Sequence, residues 1–190
     1  MKKIILTAVA VLAFAFSNAQ QTRFGIKGGL NIATIGGADY ADALIGVQLG
    51  GFAEIKIAKK FAIQPELLFS MQGAKMDYPG NAVDYDVNLN YINIPVLAKY
   101  YFTKNWSVEA GPQLGLLVSS DNIDNERTVD LGFNIGGGYN FTYNFSVGIR
   151  YTAGLSDIFD NDYNDEEDFE DYLDSRRTNN VFAITAAYKF

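Results

Sequence analysis

Phe145-Ser146-Val147-Gly148-Ile149-Arg150-Tyr151-Thr152-Ala153-Gly154 is the stretch that decides the fold. Phe145, Val147, Ile149, Tyr151 and Ala153 are apolar, whereas the residues between them are small or polar and include an arginine. Successive side chains of a strand point to opposite faces, so a period of two describes a ribbon with one apolar and one polar face. About ten residues is also the length a tilted strand needs to cross a bilayer.

The same alternation recurs seven more times between Arg23 and Phe190. Phe24, Ile26, Leu30 and Ile32 oppose Gly25, Lys27, Gly29 and Asn31, and Ile45, Val47, Leu49, Ala53 and Ile55 oppose Gln48, Glu54 and Lys56. Phe52 alone in that second stretch falls on the polar side. Phe61, Ile63, Leu67 and Phe69 oppose Gln64, Glu66 and Ser70, and Ile92, Ile94, Val96, Ala98, Tyr100 and Phe102 oppose Asn93, Lys99 and Tyr101. Trp106, Val108, Ala110 and Leu114 then oppose Ser107, Glu109 and Gln113, while Leu131, Phe133, Ile135 and Tyr139 oppose Asp130, Asn134 and Gly136. Phe182, Ile184, Ala186, Tyr188 and Phe190 end the chain. Eight long strands with an apolar face predict an all-β, eight-stranded antiparallel up-and-down transmembrane β-barrel, because only closure leaves no unpaired backbone edge in lipid.

The connections follow the rhythm of such barrels, with short periplasmic turns and long extracellular loops. Those around Ala58 to Lys60, Thr103 to Asn105 and Thr142 to Asn144 are tight; those from Thr34 to Ala43, Lys75 to Asn88, Ser119 to Thr128 and Asp157 to Asn179 are long. Phe24, Phe61, Phe102, Trp106, Phe141, Phe145, Tyr188 and Phe190 all adjoin a tight turn or a terminus, as an aromatic girdle at the periplasmic interface would. A soluble β-sandwich or lipocalin-like barrel also alternates, but does not gather its aromatics at one end. Pro65, Pro95 and Pro112 lie inside strands, where each removes a ladder hydrogen bond, so bulges or local widening are expected there.

The start of the chain points to export. Lys2 and Lys3, the apolar run Ile4 to Phe16 and the small Ser17-Asn18-Ala19 read as a signal peptide spanning residues 1–19, with 20–190 as the barrel domain. No later run approaches the roughly 20 apolar residues of a spanning helix. There is no Cys, so no disulfide can staple the domain, and no His, which removes the commonest general base and metal ligand. Ten of the 22 acids lie between Asp157 and Asp174, so the net charge of −7 belongs largely to one loop, and nucleic acid is excluded as a partner.

Gln64-Pro65-Glu66-Leu67-Leu68, Ile92-Asn93-Ile94-Pro95-Val96-Leu97-Ala98-Lys99-Tyr100-Tyr101-Phe102 and Glu109-Ala110-Gly111-Pro112-Gln113 resemble segments of the PorT-like outer-membrane β-barrel family of Bacteroidetes. Phe24 to Asn31 resembles its first strand. The resemblance spans essentially the whole mature chain and implies an outer-membrane barrel. It implies little about activity, although one founding member is associated with type IX secretion and gliding. Tyr188-Lys189-Phe190 resembles the terminal strand recognised by the outer-membrane assembly machinery.

The inward face collects Lys27, Lys56, Lys99 and Arg150 with Glu54, Glu66, Glu109 and Asp130. In a barrel just wide enough to be filled by side chains, this balance predicts a plug of ion pairs; an ion or proton path is the alternative. Asp160, Asp162, Asn164 and Asp171 have part of the spacing of a calcium loop, but Asp165 stands where a glycine is needed. The acidic loop therefore reads either as a solvated surface or as a contact for a protein or envelope partner, with Arg176 and Arg177 able to reach lipid phosphates. Phe169, Tyr172 and Leu173 would share one face of a short helix there. Small-barrel enzymes acting on lipid A use His, and no pair of acids stands out for an acid-only hydrolase. Gly28-Gly29 and Gly136-Gly137-Gly138 lie within strands, where they relieve crowding rather than cradle a phosphate. The sequence thus predicts a non-enzymatic barrel without cofactor, its outer-membrane lipids around it and its loops exposed. A narrow channel or a secretion accessory is the alternative.

Overall fold

A strand in lipid must find both its neighbours, and this chain supplies them by closing. The computed structural model describes residues 22–36, 41–76, 85–121, 128–156 and 178–190. They form β1 (Thr22–Gly36), β2 (Ala41–Lys56), β3 (Phe61–Met76), β4 (Tyr85–Tyr101), β5 (Trp106–Asp121), β6 (Val129–Asn140), β7 (Phe145–Gly154) and β8 (Thr178–Lys189). Each strand pairs antiparallel with the next and β8 returns to β1, giving a closed barrel. Residues 1–21, which hold the expected signal peptide, and 157–177, which hold the calcium-like spacing, the expected short helix and Arg176 and Arg177, lie outside the described residues.

Register fixes the shape. Thr22 pairs with Ile55, and the row continues through Ile63, Ala98, Ala110, Ile135, Tyr151 and Phe182 before returning to β1 at Ile32. The return is ten residues further along β1, so the strands are strongly staggered, as a tilt of about 35–45° in a narrow barrel requires. Most of this row is apolar and faces outward. Ile26, Leu49, Leu67, Ile149 and Ile184 extend the exposed apolar band. Lys27, Glu54, Gln64, Glu66, Ser70, Asn93, Lys99, Asn134, Arg150 and Lys189 are buried in the lumen. The core of this molecule is therefore polar and its surface apolar, the inverse of a water-soluble domain.

Two of the three tight turns share a device. In Thr103-Lys104-Asn105-Trp106 the Thr103 hydroxyl accepts from the Asn105 and Trp106 amides at 3.2 and 2.9 Å. In Thr142-Tyr143-Asn144-Phe145 the Thr142 hydroxyl does the same at 3.3 and 2.9 Å. Each asparagine then donates to the last carbonyl of a neighbouring strand, Asn105 to Asn140 at 2.7 Å and Asn144 to Lys189 at 2.6 Å. The side chains thus satisfy backbone groups that the turn would leave unpaired.

The prolines are accommodated without bulges, contrary to the first of the two expectations for them. β2–β3 pairing is interrupted beside Pro65, between Phe52↔Glu66 and Ile55↔Ile63. β3–β4 pairing is interrupted beside Pro95, between Pro65↔Val96 and Leu68↔Asn93, and β4–β5 pairing beside Pro112, between Pro95↔Gln113 and Ala98↔Ala110. Each ladder resumes in its former register, and each proline remains paired on its other side. A proline lacks only the donor, so it interrupts one ladder and leaves the other. The register shifts fall elsewhere, between Ala43 and Gln48 and between Asn90 and Tyr91, toward the extracellular end. There the strands also run further than the alternation indicates, because backbone pairing such as Lys75↔Asp86 continues where no apolar face is required.

Candidate functional site

The lumen is built in layers from alternate strands. Lys27 on β1, Glu66 on β3, Glu109 on β5 and Arg150 on β7 come from four walls a quarter-turn apart. Arg150 donates to both Glu66 oxygens at 2.8 and 2.9 Å, a bidentate pair joining opposite sides of the barrel. It also donates to Glu109 Oε1 from Nη2 at 2.6 Å and from Nε at 2.9 Å. Lys27 pairs with Glu66 from β1, and Gln64 donates to the same Glu66 oxygen at 2.6 Å. The guanidinium fork suits this position because it engages two carboxylates in a fixed plane.

The layer nearer the tight turns comes from the even strands. Glu54 on β2 accepts from the Tyr101 hydroxyl on β4 at 2.6 Å and from Lys189 on β8 at 3.2 Å, and Lys189 also donates to Asn140 on β6 at 3.2 Å. Lys99 joins the layers, 3.9 Å from Glu54, 3.8 Å from Glu109 and within 3.3 Å of Gln64. Farther toward the loops, Asn31 donates to Ser70 and Gln72 to Ser70, both at 2.8 Å, while Thr152 donates to Asn134 at 2.7 Å. Tyr91, Leu68, Leu89 and Leu97 fill the remaining inner wall of β3 and β4.

Two glycines make this packing possible. Gly136 lies in register between Glu109 and Arg150, and a Cβ there would stand 2.6 Å from the Ile149 carbonyl. Its bare backbone lets the Arg150 side chain pass β6 to reach Glu109. Gly25 is paired with Phe52, whose ring would lie 2.4 Å from an added Cβ. Phe52, the residue out of step with the alternation, therefore faces inward and covers an exposed stretch of β1 backbone, as aromatic side chains do beside strand glycines.

Six of the eight charged residues expected in the lumen meet in this network, and two do not. Lys56 is exposed at the periplasmic mouth, because β2 ends there. Asp130 is near the extracellular end of β6, where it accepts from Ser156. Lys189 and Tyr101 take their places. Lys189 could be found from the alternation, since it lies between the outward Tyr188 and Phe190. The buried network consequently holds four cations, Lys27, Lys99, Arg150 and Lys189, against three carboxylates, Glu54, Glu66 and Glu109, rather than the balanced set expected.

A closed eight-stranded barrel with a polar lumen and an apolar outer band is the architecture of an outer-membrane protein. A family model described as "Outer membrane protein beta-barrel domain" matches residues 18–160. The chain belongs to that family. Ail, the attachment invasion locus protein of Yersinia pestis, solved with the heparin analogue sucrose octasulfate, is similar in fold at a TM-score of 0.52 and 14% identity, covering 90% of this chain and 100% of Ail. Neisserial surface protein A is similar at a TM-score of 0.53 and 13% identity, covering 87% of this chain and 95% of that one. No match is found among curated proteins.

In this outer-membrane barrel the eight girdle residues Phe24, Phe61, Phe102, Trp106, Phe141, Phe145, Tyr188 and Phe190 all face outward at the tight-turn end. Tyr100 and Tyr139 extend them. Ring centroids lie 4.8 Å apart for Phe61 and Tyr100, 4.8 Å for Trp106 and Tyr139, and 4.9 Å for Tyr139 and Phe141. Such tilted and edge-to-face contacts add to the area the rings bury. Among the described residues, no group of three or more acids could hold a metal ion.

Proposed function

We propose that this outer-membrane barrel is non-enzymatic, with a lumen closed by side chains, and acts through its extracellular connections in a structural or interaction role. The observation that carries the reading is the Arg150–Glu66 pair, which bridges opposite walls at 2.8 and 2.9 Å and occupies the axis. Charges so placed are held by several hydrogen bonds each, which a water-filled pore would not require. The lipid partner of the apolar band is the outer membrane itself, and the outer-membrane assembly machinery is the partner proposed for β8. The acidic stretch from Asp157 to Asp174 is the proposed contact for a protein or envelope component.

Planar-bilayer recording tests the closed lumen. The reading expects no reproducible conductance, and a steady unitary conductance altered by Arg150→Ala would establish a narrow channel instead. The resemblance to PorT-like proteins adds one finer reading, an accessory place in a type IX secretion or gliding apparatus. Pull-down from crosslinked membranes, with the intact chain against one lacking residues 160–174, tests it, since recovery of the same partners by both would remove the loop from the account.

A further inference from the structure

The periplasmic mouth of the barrel opens into a cavity of about 550 Å³ that the side chains of the lumen network leave unfilled. Its cations are Arg23, Lys56, Lys59, Lys60, Lys104 and Lys189, and its one acid is Glu54. Glu54 is already engaged by Lys189 and Tyr101. Among the described residues, Lys56, Lys59, Lys60 and Lys104 form no ion pair. The floor of the cavity is the buried network, itself one positive charge in excess. Field from the low-dielectric floor and from the rim therefore adds within the cavity and favours an anion.

Arg23 supplies an observation of a different kind. Its guanidinium lies 3.7 Å from the centroid of the Tyr143 ring, and Nη1 donates to the Tyr143 carbonyl at 2.8 Å. The other terminal nitrogen, Nη2, is buried with no hydrogen-bond partner. A stacked guanidinium has little freedom still to lose on binding, and an unused donor on a residue that lines the cavity together with several unpaired ammonium groups suits a multiply charged oxyanion. The volume is that of an ordinary small-ligand site.

We propose that this periplasmic cup binds a phosphate-bearing anion, with Arg23 as the oriented donor and Lys56 and Lys104 as charge partners. The phosphate can belong to a soluble periplasmic phosphate ester or to a lipid headgroup at the rim, since both present the same group. Isothermal titration of the full refolded chain in nonionic detergent tests this, with inorganic pyrophosphate in one arm and phosphatidylglycerol in mixed micelles in the other. Saturable binding in either arm, weakened by added salt and at least about tenfold weaker in Arg23→Gln and in the double variant Lys56→Gln/Lys104→Gln, is the expected result. Binding only of pyrophosphate identifies a soluble source, and binding only of the lipid identifies a headgroup. No saturable binding in either arm overturns the proposal, as does binding that both variants leave unchanged. Succinate binding as tightly as pyrophosphate overturns the assignment to phosphate. The double lysine variant leaves the Arg23–Tyr143 contact and the lumen network intact, so it reads the cup even where Arg23→Gln folds poorly.

Discussion

Replacing Glu66 by alanine should be among the most damaging single changes in the barrel. The carboxylate accepts two hydrogen bonds from Arg150, one from Gln64 and one from Lys27, and its side chain is fully buried. Its loss leaves Lys27 without its carboxylate and Arg150 with Glu109 alone. Removing one member of a buried ion pair costs about 3–5 kcal/mol, because the remaining charge stays desolvated without compensation. With a urea slope of about 2 kcal/mol per molar, the unfolding midpoint in lipid vesicles should fall by roughly 2 M. Trp106 is the only tryptophan and faces outward at the girdle, so its emission follows loss of the membrane environment. The double variant Glu66→Ala/Arg150→Ala should be more stable than the sum of the single losses by at least about 1 kcal/mol, since it removes opposite charges together. Lys104→Gln, at an exposed turn, serves as the control and should change stability by no more than about 0.5 kcal/mol. A midpoint for Glu66→Ala indistinguishable from that control, with the same slope, would refute the reading of the lumen as an energetically coupled plug.

Gly136→Val should destabilise the barrel by about 1–3 kcal/mol, because its Cβ would strike the Ile149 carbonyl, whereas Gly51→Ala, whose nearest neighbour would be the Gly25 carbonyl at 3.6 Å, should be tolerated. Equal urea midpoints for the two would contradict the close approach at β6–β7. Asn144→Ala removes the donor to the Lys189 carbonyl and should cost about 1 kcal/mol in the same assay, with no loss expected if water replaces the side chain fully. In vesicles of brominated lipid, Trp106 should be quenched more strongly by bromines near the headgroup than by bromines at the bilayer centre; the opposite order would move the girdle away from the interface.

The strands were legible because lipid on one side and a narrow lumen on the other impose different demands on alternate residues. Arg150 and Glu109 could be assigned inward from sequence, but their contact could not, since it depends on stagger around the barrel and on the vacancy at Gly136. Lys56 and Asp130 share the inward phase of their strands and still miss the network. Alternation reports a face and says nothing of depth along the axis, and these two residues lie near opposite ends. Phe52 broke the pattern for a reason that only register reveals, namely that its partner is Gly25. The paired Thr-x-Asn-aromatic turns were visible in the sequence as Thr103 to Trp106 and Thr142 to Phe145, and their repetition was the signal for the capping role of Asn105 and Asn144.

A charged lumen also bears on why one register is adopted. If both faces of these strands were apolar, sliding a strand by one residue would exchange two equivalent faces at little cost. With Lys27, Glu66, Lys99, Glu109 and Arg150 on one face, the same slip would place ions in hydrocarbon and leave isoleucine and phenylalanine in the lumen. A slip of two residues restores the faces but displaces Arg150 by about 7 Å along its strand relative to Glu109, beyond the reach of its present hydrogen bonds. The lumen ions therefore penalise the first kind of error by desolvation and the second by geometry. The apolar girdle, which is tolerant of a two-residue displacement, supplies no comparable discrimination. On this reasoning, the buried charges contribute less as net stabilisation than as the difference in free energy between the ten-residue stagger and its neighbours.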